Sequence, residues 1–517
     1  MADEAAEGRS SGERTMITAA LLMAMAVTAL ESTVVSTAMP TIIAQLRGLD
    51  IYPWVFSAYL LASTVSTPIY GKLADIFGRK KVLIFGLVLF AIGSMLSGMA
   101  NSMLQLIAAR VIQGLGAGSV GPIVLTMLGD LFTLKERAKV QGLFSAVWGG
   151  SSLVGPAIGG YLTVGLSWRW VFFVTVPFAV VTIWLLMRHF HEAIVHHERP
   201  RIDWAGAILL TLGTTLLLSV VLNGQKQSMA VGVGLMAISV VLLVLFVFQE
   251  RRAPDPIVPL DLFTLRPIAS AIAGSFLIGC LLFGLDTYIP LYVQGVQGGS
   301  AIKAGEMITP LFLAWSISVA IAAKVVVRLG FRTTALVGSL LITTGSVALT
   351  IGAEYPASSR ILFIAGMSVI GLGMGPTSLS YILGVQHAVS WNRRGVATGA
   401  ITFVRTLGGA LGVGILGATL GYELANRLAR GDGAGIDVTA ALRPETHALL
   451  SSEKLRIVQE ALGYSLRDVF IQLTALAVLM VLCSLGLGKH QAQSKPQPAE
   501  NGEAVVEEAA LPVTVEH

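Results

Sequence analysis

The chain has 517 residues, of which 54% are hydrophobic and only 13% are charged. This composition excludes a soluble multidomain protein and indicates a polytopic membrane protein. The net charge of +5 does not indicate a nucleic-acid partner, because the cationic residues are spread one loop at a time rather than along one face.

The two ends of the chain lack apolar character. Residues 1–15 are small, polar and mixed in charge, without the apolar core and cleavage site of a signal peptide, so we predict a disordered cytoplasmic tail. Residues 489–517 are polar and acidic and are predicted to form a second disordered tail. Cys280 and Cys483 both lie in apolar segments and indicate neither a disulfide framework nor a metal site.

Between these tails the sequence predicts an all-α integral membrane protein. A bilayer core of roughly 30 Å needs about 20 apolar residues per helix. On this measure there are fourteen predicted spans, near residues 17–43, 53–73, 82–100, 103–128, 138–163, 170–187, 204–222, 230–248, 268–293, 304–327, 333–352, 360–383, 395–420 and 465–487.

The distribution of Lys and Arg predicts the orientation of these spans. An even number of spans places both termini on one side, and the loops and tails of that side carry 22 Lys and Arg. The short loops of the other face carry five, and the long loop 421–464, with Arg467 at its end, carries six. Because long translocated loops weigh less in the positive-inside rule, both termini are predicted to be cytoplasmic.

This count leaves two of the 35 Lys and Arg residues unassigned, Arg110 and Arg405, and both lie inside predicted spans. Intramembrane arginines are costly and usually face a protein interior or a water-filled cavity with a partner. Both are therefore candidate cavity residues. The alternative is that each one snorkels or makes a structural hydrogen bond.

Glu31 is the predicted partner of Arg110. At 1.5 Å per residue, Glu31 lies roughly 21 Å from the cytoplasmic edge and Arg110 roughly 10 Å below the opposite edge, so their depths nearly coincide. Burial favours a neutral carboxyl and a nearby guanidinium favours the carboxylate, which together suit an alternating proton carrier. The alternative is a permanently ionised pair that only fixes helix packing.

A second intramembrane carboxylate, Asp286, is predicted near the outer mouth, roughly 27 Å from the inside edge. We expect either a cavity carboxylate that attracts cations or a solvated residue one turn below the surface.

Glycines cluster around Pro156 in the segment WGGSSLVGPAIGGYL. Gly155, Gly159 and Gly160 fall on spacings that let helices approach closely, and Pro156 removes a helical hydrogen bond and permits a bend. The functional interpretation is a tight contact that slides. Static packing is the alternative.

The segment GKLADIFGRKK, Gly71 to Lys81, is larger and more charged than a hairpin turn requires. Residues 70–86 resemble residues 322–338, with Lys72 matching Lys324, Gly78 matching Gly330, Lys80 matching Arg332 and Gly86 matching Gly338. Repeated halves are how transporters build a central site. We therefore predict a six-helix half at 16–190, two inserted helices at 191–250 and a second six-helix half at 251–488, which contains the long outside loop 421–464.

These motifs resemble those of a known family. The segment Gly71 to Lys81 resembles the loop motif of the major facilitator superfamily, RVIQGLGAG resembles its span-four motif, and Gly155–Pro156 resembles the antiporter motif of its exporters. The segments ALESTVVSTAMPTI, SWRWVFFVTVP, IDWAGA and RTLGGALGVGILG are similar to parts of the fourteen-span QacA/EmrB-type drug:proton antiporters. The resemblance covers nearly all of residues 16–487.

The resemblance implies a role for each matching residue. The implied roles are a cytoplasmic charge lock at Asp75, Gly78 and Arg79, close helix approach at Gly71, a proton path near Arg110, cavity candidates at Gln113 and Arg405, and a bending interface at Gly155, Pro156, Gly159 and Gly160. Glu31 stands where the family usually has Asp, so the carboxylate is kept. No cofactor is implied, since the proton gradient is the driving force.

The predicted function is a proton-coupled exporter of hydrophobic or cationic small molecules in the plasma membrane, with an amphiphilic substrate, protons and membrane lipids as partners. A lipid or glycolipid exporter of the same fold and a non-transporting sensor or scaffold are the alternatives. Residues 421–464 form either a plain tether or a segment that contacts the membrane surface or an envelope partner. The sequence has no Walker loop, no metal-ligand spacing and no assignable triad, so we predict no enzyme.

Overall fold

The computed structural model describes residues 11–131, 134–190, 203–223, 228–254, 256–257, 260–355, 359–389, 394–430 and 452–488. Within these residues the secondary structure consists of helices, in agreement with the predicted fold class. Long apolar segments form helices because a helix satisfies every backbone polar group within the segment.

The part of the chain predicted as the first half contains eight α-helices. They are α1 (Ser11–Leu46), α2 (Pro53–Phe77), α3 (Arg79–Met99), α4 (Met103–Ala117), α5 (Val120–Leu131), α6 (Leu134–Gly165), the single turn α7 (Trp170–Phe173) and α8 (Thr175–His189).

The remaining helices begin with the predicted inserted pair. They are α9 (Trp204–Asn223), α10 (Met229–Arg252), a short 3-10 helix at Leu260–Thr264, α11 (Arg266–Gly295), α12 (Ala301–Glu354), α13 (Ser359–Ala388), α14 (Arg394–Arg430) and α15 (Ser452–Leu485).

Eleven helices of the described residues are long and apolar enough to cross a membrane. One of them, α12, consists of two helices that meet at Gly330. Two helices that coincide with predicted spans, α2 and α6, are not among the eleven. The protein is therefore an all-helical, multi-pass membrane protein, and the number of fourteen spans stays a prediction.

Several helix ends differ from the sequence-based boundaries. Helix α1 begins at Ser11, so residues 11–15 are helical rather than part of a disordered tail. Helix α14 continues to Arg430 and α15 begins at Ser452, which shortens the predicted loop 421–464 at both ends. Residues 1–10, 431–451 and 489–517 lie outside the described residues.

An ion pair holds the part of α14 that extends beyond its apolar segment against α15. Arg427 of α14 contacts Asp468 of α15 at 2.7 Å, and Arg467 of α15 pairs with Glu354 at the end of α12. The ring of Tyr464 lies 5.6 Å from each of these two guanidinium groups. A search for apolar residues alone misses helical turns that charged side chains hold together.

The two matched glycines of the internal repeat have the same backbone conformation. Gly78 separates α2 from α3 with φ of 92°, and Gly330 separates the two parts of α12 with φ of 77°. A positive φ at these values is accessible to glycine at little cost, whereas a Cβ is strained there. The structure thus gives a physical reason for the glycine in both copies.

We expect Gly78→Ala and Gly330→Ala each to destabilise the protein by about 1–3 kcal/mol, because alanine must adopt a positive φ with an extended ψ, a region essentially restricted to glycine. Gly71→Ala is the matched control, since Gly71 lies inside α2 with nothing within 4 Å of an added Cβ. Thermal unfolding of the purified protein in detergent measures the effect. Equal unfolding midpoints for all three variants would contradict this explanation.

The contacts that join the two halves lie toward one end of the helices. We call this the Pro53 end, because α2 begins there, and the other the Gly78 end. In α11, Gln294 donates to the carbonyl of Thr37 in α1 at 2.9 Å. Tyr52 and Tyr288 meet edge to face with centroids 6.0 Å apart. These contacts close the Pro53 end of the bundle.

Candidate functional site

Glu31 of α1 and Arg110 of α4 form a buried ion pair. Arg110 Nη1 donates to Glu31 Oε1, and the two side chains are 0% and 1% exposed, with the carboxylate the more buried. The structure thus brings together the two residues that their matching depths predicted to meet. The second carboxylate oxygen, Oε2, is buried and accepts no hydrogen bond from the described residues.

The guanidinium of Arg110 is also held by a residue of its own helix and by α2. Its Nη1 donates to Gln113 Oε1 at 2.6 Å, and its Nε donates to the main-chain carbonyl of Val55 in α2 at 3.2 Å. The ring of Tyr59, also in α2, lies 4.0 Å from the guanidinium carbon. A cation over an aromatic face is attracted by the ring quadrupole, more so when it is desolvated.

Two glycines let the surrounding helices approach α4. A Cβ on Gly114 would lie 2.4 Å from the carbonyl oxygen of Tyr59, and a Cβ on Gly93 of α3 would lie 2.4 Å from the amide nitrogen of Gln113. Neither position has room for a larger residue, because the neighbouring atoms belong to backbone. These two contacts place α2 and α3 against the helix that carries Arg110.

The partners of Arg110 determine how costly it is for Glu31 to become neutral. Two opposite charges in contact offset each other's desolvation, whereas a single buried charge left alone is costly. If Glu31 takes up a proton, Arg110 keeps Gln113, Val55 and Tyr59 as partners. The arrangement therefore tolerates a neutral Glu31 better than an isolated ion pair does.

Asp286 of α11 is a separate buried carboxylate. It is 4% exposed, so the alternative of a solvated residue is wrong. Its carboxylate lies within hydrogen-bonding reach of the Ser36 hydroxyl in α1, and its Oδ1 accepts no hydrogen bond from the described residues. Ser36 is five residues from Glu31, so α1 carries one of the carboxylates and contacts the other.

The predicted charge-lock segment lies at the Gly78 end. Gly78 forms its turn, and Arg79 begins α3 with a half-buried side chain. The side chain of Asp75 lies outside the described residues. Among the described residues, none lies within 4 Å of a Cβ added to Gly71, so they do not make the predicted close approach. The contacts between the halves that are named above lie at the Pro53 end.

Lys80 has a contact that the sequence did not predict. Its Nζ donates to the carbonyl oxygens of Phe190 at 2.5 Å and Met187 at 3.2 Å. Both carbonyls lie at the C-terminal end of α8, where a cation is favoured by the unpaired carbonyls.

The predicted antiporter motif in α6 forms two contact surfaces. Within the first half, a Cβ on Gly155 would lie 2.0 Å from Thr33 Oγ1, and one on Gly159 would lie 2.2 Å from Thr37 Oγ1. Between the halves, a Cβ on Gly160 would lie 2.8 Å from the Cα of Ile302 in α12. The main-chain oxygen of Pro156 also faces α12, 2.6 Å from the Cβ position of Gly305.

The two predicted cavity residues have different surroundings. Gln113 belongs to the ion-pair cluster through Arg110. Arg405 does not join it. Its side chain is half-buried on α14, and its main-chain oxygen lies 1.8 Å from the Cβ position of Gly279 in α11.

The sequence did not identify Ser94 and Thr175 as part of this cluster. Gln113 Nε2 donates to Ser94 Oγ at 2.6 Å, and the hydroxyls of Ser94 and Thr175 lie 3.0 Å apart. Both residues are fully buried. The available signal was a serine beside Gly93, where a small residue permits close helix contact.

The second half has apolar residues at the corresponding place. Gly345 contacts Ile370 as Gly93 contacts Gln113, so Ile370 takes the place of Gln113. Met367, one turn before Ile370, takes the place of Arg110. Met367 and Ile370 are both fully buried. The polar cluster is therefore a feature of the first half.

This fold defines a multi-pass helical membrane protein with a buried ion pair in its first half. The chain belongs to the Major Facilitator Superfamily, which residues 21–413 match. Membership makes the protein a transporter rather than an enzyme. Among the described residues, no group of three His, Cys, Asp or Glu is placed to hold a metal ion.

Its relatives include proteins named for multidrug transport. The chain is 35% identical over 427 residues to "Multidrug transporter protein MdtP" of Bacillus subtilis (strain 168), covering 82% of this chain and 78% of that protein. It is 32% identical over 490 residues to "Multidrug resistance protein 3" of the same organism, covering 91% and 94%.

The fold is also similar to solved transporter structures. A bacterial homolog of the human lysosomal transporter Spinster, in an inward-facing and unoccupied conformation, superposes with a TM-score of 0.67. The match covers 93% of this chain and 98% of that one, at 16% sequence identity. At this identity the similarity establishes the fold alone.

Proposed function

We propose that the protein is a proton-coupled antiporter that exports hydrophobic or cationic small molecules by alternating access, with multidrug efflux as its role. The observation that carries the proposal is the buried Glu31–Arg110 pair, since intramembrane ionisable residues are costly and mark ion and substrate pathways. The multidrug names of two relatives support the substrate class.

In the proposed cycle Glu31 exchanges a proton for substrate. From the outside, a proton reaches the unpartnered oxygen Oε2 and neutralises Glu31, and Arg110 retains its bonds to Gln113 and Val55. Substrate binding and protonation then compete, and a cationic substrate, like a proton, adds positive charge beside Arg110. A ligand shifts the access equilibrium only by its differential affinity for the two states.

The proposed topology has fourteen spans, as in the QacA/EmrB-type antiporters, with both termini cytoplasmic and the protein in the plasma membrane. The two parts of α12 count as two spans, and α2 and α6 complete the set. In this arrangement the Gly78 end faces the cytoplasm. The closed Pro53 end then makes the structure an inward-open state.

In that state the proposed charge lock is released. Asp75, Gly78 and Arg79 would engage when the Gly78 end closes, with Gly71 permitting close approach of two helices. Closing this end requires the contacts at the Pro53 end to open, including the seam of Gly160 and Ile302.

Two further residues have proposed roles along the pathway. Asp286 is buried beside α1 with an unpartnered oxygen and is proposed as a second proton-coupling carboxylate. Arg405, half-buried in the second half, is a cavity candidate. Protons, membrane lipids and an amphiphilic substrate are the proposed partners.

The proposal is tested with purified protein in liposomes and ethidium as the probe. An imposed pH gradient, acidic on the side facing the Pro53 end, is expected to drive ethidium toward that side, and a protonophore is expected to abolish the movement. Ethidium accumulation that is insensitive to the gradient would contradict proton coupling. An absence of both ethidium and proton flux would favour a sensor or scaffold.

Export of a lipid or glycolipid is a second candidate. An apolar groove runs along α10, lined by Val240, Leu243, Val244, Val247 and Phe248 with Arg251 at its end. Such a groove suits an acyl chain with an anionic headgroup near the arginine. Movement of a fluorescent phospholipid between leaflets, without ethidium transport in the same liposomes, would favour this candidate.

A further inference from the structure

We propose that Ser94 and Thr175 are positioning residues for the Glu31–Arg110 pair. They fix the amide of Gln113 so that its oxygen holds the Arg110 guanidinium in place while Glu31 gains and loses a proton. This inference rests on the proposed function, in which Glu31 is the carboxyl that titrates. Neither Ser94 nor Thr175 contacts the carboxylate; both act through Gln113.

The hydrogen bonds of the cluster run in a single direction. Thr175 Oγ1 donates to the main-chain oxygen of Phe172 at 2.8 Å, so its one hydroxyl hydrogen is used. Across the 3.0 Å contact, Ser94 must therefore donate to Thr175. Ser94 Oγ then accepts from Gln113 Nε2 at 2.6 Å.

This direction determines the orientation of the Gln113 amide. With its nitrogen committed to Ser94, the amide presents Oε1 to Arg110 Nη1 at 2.6 Å. In the flipped orientation the NH2 group would face a guanidinium, which has donors and no acceptor. The hydroxyls of Ser94 and Thr175 therefore disfavour the flipped orientation, in which the amide NH2 group would repel Arg110.

The hydrogen bonds from Thr175 through Ser94 to Gln113 favour the ionised state of Glu31, because they place the guanidinium where it pairs with the carboxylate. When Glu31 is protonated, Arg110 loses its anionic partner and stays buried with a positive charge, which is costly unless other acceptors hold it. Gln113 Oε1 is a side-chain acceptor that remains. A guanidinium that stays in place is ready to stabilise the carboxylate as soon as Glu31 releases its proton.

Two comparisons within the molecule separate this role from ordinary helix packing. Ser97, one turn along α3, is also fully buried, and its hydroxyl has no hydrogen-bond partner among the described residues. Ser346 of the second half stands one residue after Gly345, as Ser94 follows Gly93, but donates to Ile342 O of its own helix. Of these three serines, Ser94 bonds a polar side chain at the ion pair.

The charged and titratable groups near Glu31 come from several elements. Arg110 of α4 pairs with it, and Tyr59 of α2 lies under Arg110. On α11 the carboxyl is Asp286, which contacts α1 at Ser36.

Other described elements packed against α1 also carry titratable groups. On α8 they are Arg188 and His189, at the Gly78 end; on α12 they are Lys303 and Glu306 near its start, Lys324, Arg328 and Arg332 near Gly330, and Glu354 at its end. On α6, Ser151, Gly155 and Gly159 contact α1 and carry no titratable side chain, and Tyr161 is exposed. The pH dependence tested below is therefore assigned through Glu31 itself.

The test follows protonation of Glu31 directly, without substrate. Infrared difference spectroscopy of the purified protein detects the C=O stretch of a protonated carboxyl, and the part of the signal that Glu31→Gln removes belongs to Glu31. We expect Ser94→Ala and Thr175→Val to raise the pH at half-protonation by at least half a unit, about threefold in proton affinity. A less well-placed guanidinium stabilises the carboxylate less, so the proton is held more tightly.

The matched controls keep the same helices and burial. Ser97→Ala removes from α3 a hydroxyl that has no hydrogen-bond partner among the described residues. Thr182→Val removes from α8 a hydroxyl that donates to Phe178 O of its own helix. Both are expected to titrate as the wild type. Thr175→Ser keeps the hydroxyl and is expected to restore the wild-type midpoint, which a role in packing alone does not predict.

The outcomes distinguish this inference from the proposed function. If Glu31→Gln removes no titrating signal, Glu31 is not the proton carrier and both fail. If Glu31 titrates but Ser94→Ala and Thr175→Val share the midpoint of their controls, the positioning role alone is overturned. Should Ser94→Ala fail to fold, the comparison of Thr175→Val with Thr175→Ser decides the question.

Discussion

Glu31→Gln is expected to abolish proton-driven export while leaving a folded protein in the membrane. The amide has nearly the shape of the carboxyl, and its oxygen can still accept from Arg110. It cannot exchange a proton at physiological pH. In liposomes with an imposed pH gradient, ethidium accumulation by this variant is expected to fall to the level of empty liposomes.

The folded state is expected to survive because the cycle itself visits a neutral Glu31. Removing one partner of a buried ion pair often costs about 3–5 kcal/mol, because the other charge is left uncompensated. Here Arg110 keeps Gln113, the Val55 carbonyl and the Tyr59 ring. We therefore expect a smaller loss than for an isolated pair, visible as a modest decrease in the thermal midpoint in detergent.

Glu31→Asp is the matched control for this prediction. It keeps a carboxyl, shortened by one methylene, and matches the residue that the resemblance gives for this position. It is expected to retain gradient-driven export. Full export by Glu31→Gln would remove Glu31 from the mechanism and direct attention to Asp286, the other buried carboxylate with an unpartnered oxygen.

The sequence predicted the ion pair because depth in a helix follows from counting. A fixed rise per residue and a bilayer of known thickness place Glu31 and Arg110 at the same level without knowledge of how the helices are rotated. The structure adds the rotation, which turns both side chains into the same interior.

Rotation also explains what the sequence could not predict. Ser94 and Thr175 are ordinary small polar residues in apolar helices, and the face on which they lie depends on how closely α3 approaches α4. That approach depends on Gly93, whose neighbour Gln113 is distant in sequence. Likewise, Arg427, in the extension of α14, is held by an ion pair to Asp468 of another helix.

The two halves share backbone features and differ in chemistry. Gly78 and Gly330 repeat the same turn, but the second half has Met367 and Ile370 where the first has Arg110 and Gln113. Under the proposed function, the first half binds the proton at the ion pair. The second half contributes Asp286 at the seam with α1, so α1 carries one of the two carboxylates and contacts the other.

Gly160→Val is expected to shift the protein toward the state that is open at the Pro53 end, with little loss of stability. The added side chain meets Ile302 of the other half, with the Cβ 2.8 Å from its Cα and 2.9 Å from its amide nitrogen. The halves can relieve this clash by separating as rigid bodies, which the proposed cycle already requires of this seam.

Gly159→Val, one residue earlier, is expected to behave differently. Its Cβ would lie 2.2 Å from Thr37 Oγ1 and 2.5 Å from the main-chain oxygen of Val34, both in α1 of the same half. Relief requires α1 to move away from α6 within a packed core. Overpacking of this kind costs about 1–3 kcal/mol, so a lower thermal midpoint is expected. Gly150→Val, on the same helix with nothing within 4 Å, is the control.

Access at the Pro53 end is measured by maleimide labelling of Thr41→Cys in a background without Cys280 and Cys483. Thr41 is half-buried and donates to Gln294 across the two halves at 3.4 Å, so opening this end increases its exposure. Gly160→Val is expected to raise the labelling rate at least tenfold, and Gly159→Val to leave it near that of Gly150→Val. If Gly159→Val and Gly160→Val lower the midpoint equally and neither changes labelling, the glycines serve static packing. If the seam moves, valine at Gly159 and valine at Gly160 must have different effects, because Gly159 faces its own half and Gly160 faces the opposite half.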